Sequence, residues 1–209
     1  LRVSTADAHR EAERSGIVHD LLTGQTQRDG LALLLCNLLP VYQALEAGLE
    51  RQTTSASLGS FAWRPLYRTS ALQADLQTLG GTPVMLPESL VYADYVAKDE
   101  PTLLAGIYVR YMGDLSGGQI LNRLFGRTMC LPPLAFYSFP DIADIDAFRT
   151  ITRAAIDRAG ALLGDTAPVV AAAVALFRLD IQLSIAVSQH AQKLSNQMLG
   201  EKSERALLR

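Results

Sequence analysis

Three glycines, an aspartate and an arginine stand within nine residues: Arg110, Gly113, Asp114, Gly117 and Gly118. At helical spacing, three glycines cost about 2–3 kcal/mol relative to alanine. Some gain must offset that cost. Gly113 and Gly117 are four apart and fall on one helix face, where a partner can touch the backbone itself. Another helix packed closely would fit, as would a phosphate in a glycine loop or a flat ligand lying on the backbone. The phosphate loop is the poorest of these, because the G-x-x-x-x-G-K pattern is absent and no strand precedes the stretch. Arg110 and Asp114 are also four apart. On an exposed surface such a pair contributes little. Beside a bare slot, a carboxylate can hold an ordered water where a ligand would sit.

The chain around this stretch is 209 residues long, 49% apolar and 19% charged. It is long enough for one large core, and its Ala- and Leu-rich composition is that of a buried helical protein. The formal net charge of −2 gives no global pull toward nucleic acid or an acidic membrane. Apolar residues recur at spacings of three and four, so the expected class is all-α. Helices are expected over residues 4–22, 27–50 with a bend at Pro40, 61–67, 70–79, 87–96, 101–127, 142–163 and 168–199. Gly80-Gly81-Thr82-Pro83 and Leu131-Pro132-Pro133 break the chain. No composition shift marks a second domain. The expected organisation is one helical domain over residues 1–200, followed by a charged tail over 201–209.

Cys36 and Cys130 match no metal or redox spacing, and two buried thiols in a reducing compartment are expected. The longest apolar stretch, Leu31 to Leu39, is too short to span a bilayer. The tail residues are charged and no secretory signal is visible. A cytoplasmic protein without a membrane anchor is the expectation. Of the three histidines, His9 sits in Ala8-His9-Arg10-Glu11-Ala12-Glu13, with Glu13 four residues on and on the same face. By itself His9 reads as a helix-surface histidine.

The run Tyr108-Val109-Arg110-Tyr111-Met112-Gly113-Asp114-Leu115-Ser116-Gly117-Gly118-Gln119 resembles the distal helix of the haem oxygenase family almost residue for residue. The resemblance extends over nearly the whole chain and is weakest in residues 52–100. It implies a helical bundle with a kinked distal helix, with haem as both substrate and cofactor. It makes His9 the proximal iron ligand and Glu13 the partner of its other ring nitrogen. Tyr42 is similar to a tyrosine that joins Arg110 and Asp114 through water. Tyr108, Arg149 and Arg153 are similar to residues that hold the haem propionates, and Arg2 stands where a basic residue often does so. Val18, Leu21 and Phe177 would line the pocket, with Gly113, Gly117 and Gly118 against the ring. Ala6 departs from the pattern, standing where many members carry a second lysine.

The implied activity is cleavage of haem to biliverdin, CO and ferrous iron. It uses O2 and electrons from a ferredoxin or a flavoprotein reductase. A water held by Asp114 would deliver protons to iron-bound oxygen. Arg10, Arg123, Arg127, Arg149 and Arg153 would offer a basic face to an acidic electron donor. Two other classes fit parts of the sequence and a third does not. A haem carrier would share the pocket without turnover, and a helical interaction protein would bind no haem. An iron-carboxylate oxidase would need Glu-x-x-His pairs, which the chain lacks.

Overall fold

In the computed structural model, backbone is described for residues 1–80 and 84–207 and side chains through Gln197. Gly81 to Pro83 of the expected break, and the last two tail residues, lie outside the described residues. The helices are α1 (Ala6–Glu13), α2 (Gly16–Thr23), α3 (Arg28–Glu50), α4 (Thr69–Leu79), α5 (Pro87–Val96), α6 (Glu100–Gly106), α7 (Gln119–Met129), α8 (Ile145–Leu163) and α9 (Ala167–Leu207). No strand occurs among the described residues. The all-α class follows from the periodicity: Leu31, Leu35, Leu38, Val41, Tyr42, Leu45 and Leu49 of α3 are buried at three- and four-residue spacing. α3 packs against α4, α5 and α9, and α9 also covers α1, α2, α5 and α6. Although α3 and Ala167–Gln197 have the length and hydropathy of membrane spans, the most apolar window of α3 is 67% buried, so packing accounts for its composition.

The first expected helix is two. Arg14 and Ser15 separate α1 from α2, and Gly16 follows at φ +55. A Cβ at Gly16 would lie 2.3 Å from the Ser184 backbone carbon of α9. The break therefore lets the chain turn against α9 at a point that only glycine can occupy. Gly16→Ala is expected to destabilise the fold by about 2–4 kcal/mol, combining a left-handed alanine with a backbone clash. Urea denaturation measures this.

α6 opens on a reciprocal cap. The Asp99 carboxylate accepts from the Thr102 N–H at 2.9 Å, and the Asp99 N–H donates to Thr102 Oγ1 at 2.9 Å. The helical path then runs to Met129 through two π-helical turns, Ile107–Tyr111 and Asp114–Gly118. In the first, the Met112 N–H donates to the Ile107 carbonyl, one residue further back than in an α-helix. The kink expected at the glycines takes this form: wide turns that re-aim side chains between α6 and α7. Cys130 ends α7 at φ 52. It is exposed while Cys36 is buried, which corrects the expectation of two buried thiols. A residue closing a helix in the left-handed conformation stands at the helix end, in reach of solvent.

α9 runs past the expected start of the tail, carrying its backbone as helix to Leu207. Two buried polar side chains fix the loops that support the site. Asn37 donates to the Val84 carbonyl at 2.8 Å and accepts from the Leu86 N–H at 2.8 Å. The Asp75 carboxylate accepts from the Ala135 and Phe136 N–H groups, each at 2.8 Å. Phe136 is thereby held edge-on to Tyr42, with ring centroids 5.3 Å apart.

Candidate active site

The structure brings Tyr42, Arg110 and Asp114 into one buried group. Tyr42 comes from α3, Arg110 from the first π turn and Asp114 from the second. The Tyr42 hydroxyl donates to Asp114 Oδ2. Arg110 Nε donates to the same hydroxyl at 3.1 Å, and the guanidinium lies 5.3 Å from the Tyr42 ring centroid. Arg110 Nη2 stands 3.9 Å from Asp114 Oδ1. A fourth member, Asp180 of α9, accepts from Arg110 Nη1 at 2.6 Å. The sequence reading missed Asp180. Its signal was available: it is the one acidic residue between Ala167 and Gln197.

Burial governs the electrostatics. Asp114 is 5% exposed. Loss of water raises its carboxyl to about 6, against the opposing pull of Arg110, the Tyr42 hydrogen bond and Arg68; the Asp180 charge raises it further. Burial likewise raises the Tyr42 hydroxyl well above the usual tyrosine range, so that it donates as a neutral phenol. The hydroxyls of Tyr92 and Tyr111 are also buried without a protein partner. The Tyr111 ring lies 6.1 Å from that of Tyr42.

Gly113 and Gly117 present bare backbone to open space: a Cβ at either would meet nothing within 4 Å. That disposes of close helix packing as the reason for these two glycines. Gly118 faces the other way, where a Cβ would come 2.7 Å from Tyr137 Cδ1, so its smallness admits the tyrosine ring.

A second group forms around α1. The His9 ring is half exposed, with Nδ1 3.7 Å from Glu13 Oε1. Its edge meets Phe177 of α9, with centroids 5.7 Å apart, and Phe177 meets Tyr108 at 6.5 Å. The Tyr108 hydroxyl is 3.2 Å from Oγ1 of buried Thr5. Phe177 thus links the helix of His9 to the π turn that leads to Gly113. Val18 is half-buried and Leu21 is a core residue. Arg2 and Arg153 are exposed, while Arg149 Nη1 donates to Asp146 at 2.8 Å on α8. These three arginines are not drawn into either group. A cavity of about 1060 Å³ opens elsewhere, lined in part by Glu46, Tyr67, Arg68, Ser138 and Asp141; His9, Gly113 and Gly117 do not line it.

The fold and this site together define an all-helical protein with a side-chain-free helix face beside a buried acid–tyrosine–arginine group. A family model described as Heme oxygenase matches residues 1–186. Heme oxygenase 1 of Homo sapiens is 32% identical over 198 residues, covering 88% of this chain and 68% of the human protein. Heme oxygenase 1 of Nostoc is 32% identical over 169 residues, covering 75% and 71%. The solved heme oxygenase of Leptospira interrogans superposes with a TM-score of 0.81 at 31% identity, covering 89% of this chain and 97% of that one. Heme oxygenase-1 of the cyanobacterium Synechocystis, solved in complex with heme, superposes with a TM-score of 0.82 at 29% identity, covering 97% and 96%. The chain belongs to the haem oxygenase family, enzymes that degrade haem.

Proposed function

We propose that the protein cleaves haem to biliverdin, CO and ferrous iron, with the macrocycle lying between the helix of His9 and the bare face of Gly113 and Gly117. The observation that carries this reading is the pair of glycines with nothing above them, next to a buried carboxyl poised near neutral pH. The residues fit a flat, propionate-bearing macrocycle. His9 offers a half-exposed imidazole and Phe177 an apolar wall. The Tyr108 hydroxyl, with Arg2, Arg149 and Arg153, provides donors for carboxylates. When bound, haem supplies the redox iron and the porphyrin carbon that is oxidised.

The chain's own residues do the rest. His9 Nε2 is the ligand atom, and Glu13 orients the ring through Nδ1. Gly113 and Gly117, with no side chains, would let a flat ring approach the helix backbone. Val18 and Leu21 close the apolar side and Gly118 keeps the helix seated on Tyr137. Asp114 holds a water over the reacting face and passes protons through it, while Tyr42 and Arg110 fix the carboxyl. The partnerless hydroxyls of Tyr92 and Tyr111 suit a water-linked network, since buried hydroxyls take water partners where protein offers none. Electrons come from a ferredoxin or a flavoprotein reductase. The exposed guanidinium groups of Arg123, Arg127 and Arg153 supply positive charge for an acidic donor, while Arg10 is paired with Asp7. Work in the cytoplasm accords with this chemistry.

The test is a haem titration followed by O2 and reductant. One equivalent of haem is expected to bind, then disappear as biliverdin and CO appear. Haem that binds and survives identifies a carrier instead. A finer prediction concerns the slot itself. Gly117→Leu is expected to leave the apo fold as stable as the parent or slightly more so, because no atom stands in the way. Its haem affinity is expected to fall roughly 10- to 100-fold, from a side chain forced into the ring's place. Unchanged haem affinity would remove Gly117 from the ring contact.

A further inference from the structure

We propose that Asp180 is a positioning residue for the reaction: by holding the Arg110 guanidinium in a direct ion pair, it keeps that cation off the Asp114 carboxyl and leaves Asp114 free to exchange protons. The inference rests on the role given to Asp114 above.

The geometry divides the three donor positions of Arg110. Nη1 goes to Asp180 at 2.6 Å, Nε goes to the Tyr42 hydroxyl at 3.1 Å, and Nη2 stays 3.9 Å from Asp114. The cation is thus bonded to one carboxylate and only near the other. Side-chain exposure is 11% for Arg110, 6% for Asp114 and 22% for Asp180. The more exposed carboxylate, Asp180, holds its charge at least expense and takes the cation. The deeper one is left with a neutral phenol as its hydrogen-bond donor. Two carboxylates share one guanidinium, so ionising both leaves a net negative charge in a dry place. Asp114 is where that imbalance falls.

The surroundings offer Asp114 no substitute cation in hydrogen-bond contact. Tyr42 faces it from α3, Tyr92 from α5, and Arg110 and Tyr111 from its own helical path. Tyr137 approaches from the segment after α7 and Asp180 from α9. Arg68, before α4, acts on Asp114 only through space; its guanidinium donates to the Leu66, Pro65 and Ser138 carbonyls. Asp180 is also three residues beyond Phe177, so the pocket wall and the clamp share one helix face. Removing the Asp180 charge acts twice in the same direction. It takes away a like charge near Asp114, and it frees Nη1 so that Arg110 can close on Asp114.

The experiment uses selectively labelled aspartate carboxyl carbons in the full-length, ligand-free protein. The Asp114 resonance is assigned by its loss in Asp114→Asn. In the parent its titration midpoint is expected at about 6. In Asp180→Asn, which is nearly isosteric, the midpoint is expected to fall toward the ordinary aspartate range. The biliverdin rate should then decline at lower pH than in the parent, with haem affinity unchanged. Asp180→Glu keeps the charge and is expected to restore both the midpoint and the pH profile. A midpoint in Asp180→Asn that stays at about 6 or rises, with or without a lower melting temperature, overturns the clamp. So does an ordinary midpoint in folded Asp180→Glu, which serves should the asparagine variant fail to fold. Failure of the underlying reading looks different: Asp114→Asn would then make biliverdin normally, whatever the midpoints show.

Discussion

Asp114→Asn is expected to bind haem as the parent does and to form biliverdin about 100-fold more slowly, or slower still. Asparagine can fill the space and accept from Tyr42, yet it cannot take up and release a proton near neutral pH. A normal biliverdin yield from this variant would remove proton delivery from Asp114. The same substitution has a signature in stability. The folded-state midpoint of Asp114, about 6, lies above the ordinary aspartate value. Between those two pH values the folded protein binds more protons than the unfolded chain, so this residue's contribution to stability declines as pH rises through that window and levels off above about 6. Asp114→Asn lacks the penalty. It is expected to exceed the parent in stability at pH 8 by on the order of 2–3 kcal/mol, with the difference vanishing near pH 4. Burial also raises Glu46 and Asp75, but both are present in parent and variant, so the difference isolates Asp114. Arg110 stays paired with Asp180 in the variant, which prevents an orphaned cation from masking the gain.

His9→Ala is the second substitution with a large effect. The His9 ring is half exposed, and its one polar neighbour is the Glu13 carboxylate at 3.7 Å, so the variant should fold. Its ferric haem complex is expected to lose the imidazole-ligated spectrum. Biliverdin formation should drop by at least about 10-fold, as loss of a ligand exceeds loss of a ligand's supporting partner. Imidazole added to the variant should restore part of the spectrum. An axial spectrum identical to the parent's would move the ligand to His19 or His190.

Much of the site was legible because helical geometry is local. The four-residue spacing of Gly113 and Gly117, and of Arg110 and Asp114, shows in the sequence as it does in space. The cost of glycine in a helix announced that something must lie there, and the open space above both residues removes helix packing as the answer. Gly118 looked the same on paper, yet it faces the Tyr137 ring, a neighbour 19 positions on that spacing does not reveal. The split at Gly16 was hidden for a similar reason: its cause is the Ser184 backbone, 168 positions away. Asp180 completes a site built mostly from α3 and the α6–α7 path, and its ion pair spans 70 residues. Its mark in the sequence is charge: it is the one acid between Ala167 and Gln197, three residues beyond Phe177.

Arg149 shows the limit of spacing as a guide. Arg149 and Arg153 share a helical stripe, but Arg149 is paired with Asp146 and only half-buried. Only its Nη1 is committed to Asp146, so the guanidinium keeps other donors for a propionate.

The central claim is where haem lies. A crystal structure of the haem complex, with the iron located by its anomalous scattering, tests it most directly. Iron is expected within bonding distance of His9 Nε2, with the ring plane resting on Gly113 and Gly117, beside Asp114. Iron on another histidine, or a macrocycle seated in the cavity lined by Glu46, Tyr67 and Arg68, would contradict it.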